Sequence, residues 1–205
     1  MINNFYKGKF IVFEGLDGSG RSTQVKKIGE FLVNKGFNIV LTKEPTQDSE
    51  AGRKIKKILI EKIETEPLEL QKLYAQDRKE HLEKKVIPAL KEGKLVISDR
   101  YFFSTFAYGS AHGANLEELI KLNSGFLYPD LIFLFKVSAR ICLERIEKRG
   151  GPKELFEKQE MLEKVSRAYE GLLLRFQNFQ TVDAEKSEEE VLEQIKKILE
   201  EKLNV

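Results

Sequence analysis

The sequence predicts an α/β fold, with five parallel strands in one doubly wound sheet and helices on both of its faces. Three observations lead there. Short β-branched and aromatic runs alternate along the chain with longer amphipathic stretches, the pattern of repeated strand–helix units. The short runs are apolar at nearly every position, as strands covered on both faces must be. A glycine-rich turn joins the first strand-like run directly to the first helical pattern.

In chain order, the expected strands are Lys9 to Glu14, Asn38 to Thr42, Leu95 to Ser98, Leu131 to Val137 and Phe179 to Val182. The expected helices cover 22–35, 49–61, 67–91, 116–124, 139–148, 156–176 and 188–203. Pro67 suits a first helical turn, and Gly36 and Gly93 suit positions just past helix ends. Pro88 is expected to kink or shorten the third helix. Ligands of such sheets bind at the carboxyl ends of the strands.

The 205 residues suit one domain, 1–205, with a full core. Lys+Arg 35 against Asp+Glu 33 leaves a net charge of only +2. There is thus no general electrostatic case for nucleic acid or an acidic membrane, and any anion site must be local. The one cysteine, Cys142, reads as a small core residue. No segment approaches a membrane span and none resembles a signal peptide, so the expected location is cytoplasmic. His81 and His112 have no partners at metal-ligand spacing and read as surface residues.

Gly15-Leu16-Asp17-Gly18-Ser19-Gly20-Arg21-Ser22-Thr23 is the first motif with chemistry in it. Glycines let backbone N–H groups turn inward around phosphate oxygens, and the following helix N-terminus adds donors and partial positive charge. Ser22 is placed to offer its hydroxyl to Mg²⁺. Arginine stands at position 21, where the pattern usually has lysine. It keeps the charge but is longer and planar. The strand at 95–98 runs into Asp99-Arg100-Tyr101. A carboxylate there is a second Mg²⁺ partner, and Arg100 can clamp a phosphoryl group. Read alone, Asp-Arg is also a common surface pair.

On these segments the chain resembles the thymidylate kinases, P-loop kinases that transfer the γ-phosphoryl of ATP to dTMP. The resemblance also rests on Lys43-Glu44-Pro45, on Leu73-Tyr74-Ala75-Gln76-Asp77-Arg78 and on the run from Asp99 to Tyr108. Arg145 to Gly150 and Val182-Asp183-Ala184 fit as well. It implies a three-layer P-loop kinase fold, Mg²⁺ with ATP, a homodimer, and no nucleic-acid or membrane partner.

The resemblance also implies roles. Asp17 approaches the 3′-hydroxyl of the acceptor sugar, Tyr74 stacks on thymine, and Arg78 donates to a base carbonyl. Tyr74 and Arg78 lie at i and i+4, hence on one helix face; a core tyrosine beside a solvated arginine is the alternative. Arg100 holds the dTMP phosphate, Ser104 reaches the base edge, and Tyr108 fills the space of a ribose 2′-hydroxyl. Glu44 belongs to the acceptor site through its motif. Phe102, Phe103 and Phe106 read as packing.

Two departures stand out. The family commonly has arginine where this chain has Lys43, and Thr46-Gln47-Asp48 replaces a glycine-rich or arginine-bearing continuation. Arg53 is the candidate for the contact left open. Arg140, Arg145, Lys148 and Arg149 lead into Gly150-Gly151-Pro152, a helix end suited to a mobile lid at about 145–158. Because Gly18 follows Asp17, the basic group of the family falls to the lid, with Arg145 and Arg149 as catalytic candidates beside Arg21, Asp99 and Arg100. The alternatives are a kinase of another nucleotide or deoxynucleoside, and a nucleotide-binding protein of weak activity because of Arg21.

Overall fold

The computed structural model describes residues 1–150, 155–156 and 158–203. Two short strands, β1 (Ile2–Asn3) and β5 (Leu127–Tyr128), pair only with each other. The main sheet comprises β2 (Lys9–Gly15), β3 (Ile39–Lys43), β4 (Leu95–Asp99), β6 (Leu131–Lys136) and β7 (Phe179–Asp183). Its order is β3-β4-β2-β6-β7, and every neighbouring pair is parallel. The expected five-stranded parallel sheet is therefore present.

Register brings the motif-bearing strand ends together. Asp99 lies opposite Phe13 on β2 and opposite Lys43 on β3. The loops after Gly15, Lys43 and Asp99 thus leave the sheet side by side at its carboxyl edge, where doubly wound sheets bind ligands.

The helices are α1 (Arg21–Asn34), α2 (Glu50–Glu61), α3 (Pro67–His81), α4 (Ile87–Lys91), α5 (Phe102–Ala111), α6 (Leu116–Leu122), α7 (Ala139–Arg149), α8 (Gln159–Arg175) and α9 (Glu188–Leu203). On one face of the sheet α1 packs with α9; on the other α5 packs with α8. Strand alternation sets the second face: Phe10 meets the Tyr101 ring at 5.0 Å and Glu14 accepts from Tyr169 of α8.

Among the helices, one is interrupted near Pro88 as expected, and two differ from expectation. The helix expected over 67–91 is divided by a π-helical turn, Leu82–Val86, in which the Ile87 N–H reaches back to the Leu82 carbonyl. Pro88 explains it: the ring has no N–H to give and crowds the preceding turn, so the helix widens before it. α5 was not expected because Phe102–Ala111 is apolar almost throughout and carries no 3.6-residue stripe. Seven of its residues are buried, since it is covered on nearly all sides. α8 begins at Gln159, later than the expected 156.

The three phenylalanines of α5 are fully buried, as their reading as packing residues requires. Phe103 touches the rings of Phe102, Phe106, Tyr128, Phe176 and Phe179. Cys142 is buried, and burial pushes its thiol up to about 12. Among the described residues no helix is long and apolar enough to cross a membrane.

Phe103→Ala is expected to cost about 3–5 kcal/mol, the range for emptying an aromatic site in a tight core. Denaturant unfolding measures it; a loss under about 1 kcal/mol would mean that α5 does not key the helical layer to the sheet.

Candidate active site

The glycine-rich loop is shaped by two close constraints. Gly18 has φ +81°, and a Cβ there would lie 2.4 Å from the Cys142 carbonyl of α7. No other residue fits, so position 18 cannot carry a cation. Gly20 caps α1 with φ 91°, turning the chain so that the first amides of a 14-residue helix face the loop. Such amides form an anion site. Ser19 N–H closes the turn onto the Leu16 carbonyl at 3.1 Å.

Arg21 is buried inside this loop. Its Nε donates to Asp99 Oδ1 at 3.0 Å, and its Nη1 donates to the carbonyls of Leu16 (2.7 Å) and Gly15. The planar fork therefore ties the loop to the end of β4 from two separate nitrogens, a spread that a single ammonium does not have. Ser22 donates its hydroxyl to Asp99 Oδ2. Burial pushes the Asp99 carboxyl up, but Arg21, Arg100 and the Ser22 hydroxyl outweigh it and hold the group at about 2. Ser22 and Asp99 thus offer two hard oxygen donors side by side at the mouth of the loop.

Arg100 follows on a backbone with φ 76°, a left-handed conformation that costs a non-glycine residue about 1–2 kcal/mol. Neighbours hold it there. Arg100 N–H donates to the Phe13 carbonyl (2.9 Å), Ser98 Oγ donates to the Arg100 carbonyl (2.7 Å), and Tyr101 N–H donates to Glu14 Oε1 (2.9 Å). Glu14 is fully buried and also accepts from Ser104 N–H (3.2 Å), Ser104 Oγ (2.5 Å) and Tyr169 Oη (2.9 Å). Burial raises its pKa, with the donors and the Arg100 charge opposing.

Turned inward, the Arg100 guanidinium donates to Asp17 Oδ1 (2.5 Å), Ser104 Oγ (2.7 Å), Tyr108 Oη (3.1 Å) and the Gly15 carbonyl (3.2 Å). Tyr108 donates to Asp17 Oδ2 at 3.0 Å, and the Arg100 cation lies 4.8 Å from its ring centre. For Asp17, burial is outweighed by Arg100 and Arg21, so its pKa is lowered. Asp17, Arg100, Ser104 and Tyr108, expected from four separate places in two motifs, form one bonded cluster.

One cavity is lined both by this cluster and by Arg78, Tyr74, Glu44 and Thr105. Arg78 is 1% exposed while Tyr74 is half-buried, the reverse of a core tyrosine beside a solvated arginine. Its Nε donates to Glu44 Oε2 (2.8 Å), Nη1 to Asn123 Oδ1 (2.6 Å) and Nη2 to Thr105 Oγ1 (3.2 Å). Further N–H bonds remain on both terminal nitrogens for a ligand. Ser104 lines the cavity at the Arg100 end, so Thr105 is the side chain beside Arg78.

His81 is not a surface residue. It is buried, its Nδ1 3.0 Å from Glu44 Oε1 and its Nε2 2.6 Å from Thr42 Oγ1, and so backs the Glu44–Arg78 pair. His112 is half-buried, edge-on to Phe156 at 5.3 Å. Asp77 accepts from Thr46 N–H (2.8 Å), Thr46 Oγ1 (2.5 Å) and Ser49 Oγ (2.5 Å), pinning the loop after β3 to α3. Arg53 is exposed and donates to the Asp48 carbonyl at 2.8 Å; it does not line the cavity, whereas Lys43 and Lys56 do.

Of the basic residues on α7, Arg145 donates to the Ser19 carbonyl at 3.4 Å and Arg149 lines the cavity. Arg140 pairs with Glu144 at the surface and Lys148 is exposed. Of the lid expected at about 145–158, residues 151–154 and 157 lie outside the described residues.

Glu14, Gln71, Thr105, Asn123 and Tyr169 were not singled out from the sequence as site residues. A signal existed for Glu14, a lone carboxylate ending an apolar strand, since such groups are buried only when bonded.

A phosphate loop at the switch point of a parallel sheet, with a bonded Asp–Arg at the next strand end, defines a P-loop kinase. Comparison narrows the class. The family described as Thymidylate kinase matches residues 13–195. A probable thymidylate kinase of Pyrococcus horikoshii is 43% identical over 192 residues, covering 90% of this chain and 92% of its own. The thymidylate kinase of Caldicellulosiruptor saccharolyticus is 37% identical over 203 residues, covering 96% and 98%. The chain belongs to the thymidylate kinase family.

The position of Asp99 sets a pH dependence. Its folded value of about 2 lies below the ordinary 3.8, so its contribution is complete above pH 3.8 and is lost as pH falls through 2. Linkage puts the full contribution at about 2 kcal/mol. Denaturant unfolding of the parent and of Asp99→Asn at pH 7 and pH 3 reads this directly. The variant is expected to be less stable at pH 7, with the gap narrower by about 1 kcal/mol at pH 3; an equal gap at both would refute the assignment.

Proposed function

We propose that this chain transfers the γ-phosphoryl of ATP to the 5′-phosphate of dTMP, giving ADP and dTDP. One observation carries the reading: a single cavity joins the phosphate loop, at Asp17 and Arg100, to the buried Arg78–Glu44 pair, with Tyr74 on its wall. A cation and an aromatic ring at one end and a phosphate clamp at the other match a nucleoside monophosphate lying along the cavity. The phosphate loop takes the donor.

In this mechanism Arg100 holds the acceptor phosphate, while Asp17 accepts from the 3′-hydroxyl of the sugar. Tyr108, fixed on Asp17 and Arg100, occupies the space a 2′-hydroxyl needs, which favours deoxynucleotides. Tyr74 stacks on the base and Arg78 donates to a base carbonyl. The attacking oxygen is already anionic, so no strong general base is required. Alignment and charge neutralisation supply the rate. Arg21 keeps the loop in shape, and Arg145 and Arg149 bring positive charge from α7.

Mg²⁺ fits this site. Ser22 and Asp99 would hold it with two adjacent hard oxygens, and water and the phosphate oxygens of a nucleotide would complete its shell. When bound, it supplies charge neutralisation on the phosphates. A homodimer enters the proposal through the family alone, a cytoplasmic location through the sequence reading above, and a single domain over 1–205 through the five-stranded main sheet.

ADP release by the purified protein with Mg·ATP, compared for dTMP, dUMP, dCMP, dAMP and no acceptor, tests the reading. Turnover that depends on dTMP is expected; a better rate with another acceptor, or none with any, would sink it. Arg21→Lys is expected to leave kcat at or below the parent value, because the bonds of the fork are lost. A rise of a hundredfold or more, about 3 kcal/mol, would instead mark the native chain as a nucleotide binder of weak activity.

A further inference from the structure

Among the described residues, Gln71 on α3 has both of its polar atoms, Oε1 and Nε2, buried without a hydrogen-bond partner. The residue is 1% exposed. A buried carboxamide with nothing to bond is costly, and such groups in native proteins call for an explanation. Gln71 also lines the same cavity as Tyr74 and Arg78.

Its placement is enforced by α5. A Cβ at Gly109 would come within 3.1 Å of Gln71 Cγ and 2.8 Å of a Leu119 methyl, so the glycine lets the glutamine lie close between the helices and a side chain there would crowd it. Gln71, Tyr74 and Arg78 stand at i, i+3 and i+7, one face of one helix. A flat ring lying on Tyr74 therefore has Arg78 at one edge and Gln71 at the other.

We propose that Gln71 is a specificity-determining residue whose carboxamide hydrogen-bonds the imide edge of the acceptor base from the side opposite Arg78. A carboxamide presents an N–H donor and a carbonyl acceptor together. The ring imide of thymine, a C=O beside an N–H, is the complement of that pair. With Arg78 on O4, Gln71 meets the N3–H and the O2 of thymine; cytosine presents two acceptors on that side, so neither orientation of the carboxamide pairs with both and the ring is rejected for that reason. The inference rests on the dTMP reading above.

Gln71→Met keeps the length of the side chain and removes both polar atoms. The free variant is expected to melt at a higher temperature than the parent, because an unpaired amide has gone. Its affinity for dTMP, measured by calorimetry without ATP, is expected to fall about tenfold, with a smaller preference for dTMP over dCMP. Two analogues locate the contact: 2-thio-dTMP and 4-thio-dTMP each weaken one carbonyl as an acceptor. For one of them the loss of affinity seen in the parent is expected to vanish in the variant. Losses that are equal in both proteins for both analogues overturn the proposal, as does unchanged dTMP affinity; both leave the dTMP reading standing. A lower melting temperature would mark Gln71 as a structural residue and overturn it too. Failure of the parent itself to bind dTMP removes both the proposal and the reading beneath it.

Discussion

The site depends on a buried carboxylate that touches neither phosphate site directly. Glu14 ends the central strand and gathers four donors, the amides of Tyr101 and Ser104 and the hydroxyls of Ser104 and Tyr169. Without them a carboxylate at zero exposure would be too costly to keep charged. With them it fixes the backbone on both sides of Arg100 relative to the phosphate loop. The left-handed turn at Arg100, unfavourable in isolation, becomes the conformation that satisfies the most bonds.

A second feature follows from the first. The interior of the site is a set of paired charges rather than an apolar pocket: Arg21 with Asp99, Arg100 with Asp17, and Arg78 with Glu44. Each guanidinium is bonded to a carboxylate and to other oxygens, which offsets its desolvation. Planar forks then keep one geometry, and preorganised charge is what phosphoryl transfer asks of a protein. Gly18 sets the boundary of this arrangement. Its contact with the Cys142 carbonyl excludes a side chain there, and α7 contributes the cations on that side.

Much of this was legible in the chain. Burial on both faces makes parallel strands read as apolar runs, and all five strands of the main sheet stood out for that reason. The loop from Gly15 to Thr23 was visible because its chemistry is local: glycine geometry and helix N-terminal amides need only neighbours in sequence. α5 was hidden because a helix covered on nearly all sides loses its periodic stripe. His81 was misread because its partners, Thr42 and Glu44, lie on a different element. Gln71 was passed over because a glutamine in an amphipathic helix is ordinarily solvated, and only the close approach of Gly109 reveals it as buried.

The sequence by itself determined the fold class and the phosphate loop, since these follow from periodicity and glycine placement; the candidate residues for the acceptor came through the resemblance of short motifs to a family. Tertiary structure alone decided which charges meet. Strand register set Asp99 beside the loop, packing of α3 against α5 buried Arg78 and Gln71, and the bonds of Glu14 turned Arg100 inward. The reason is physical: backbone preferences act over a few residues, whereas pairing and desolvation depend on groups that only folding brings together.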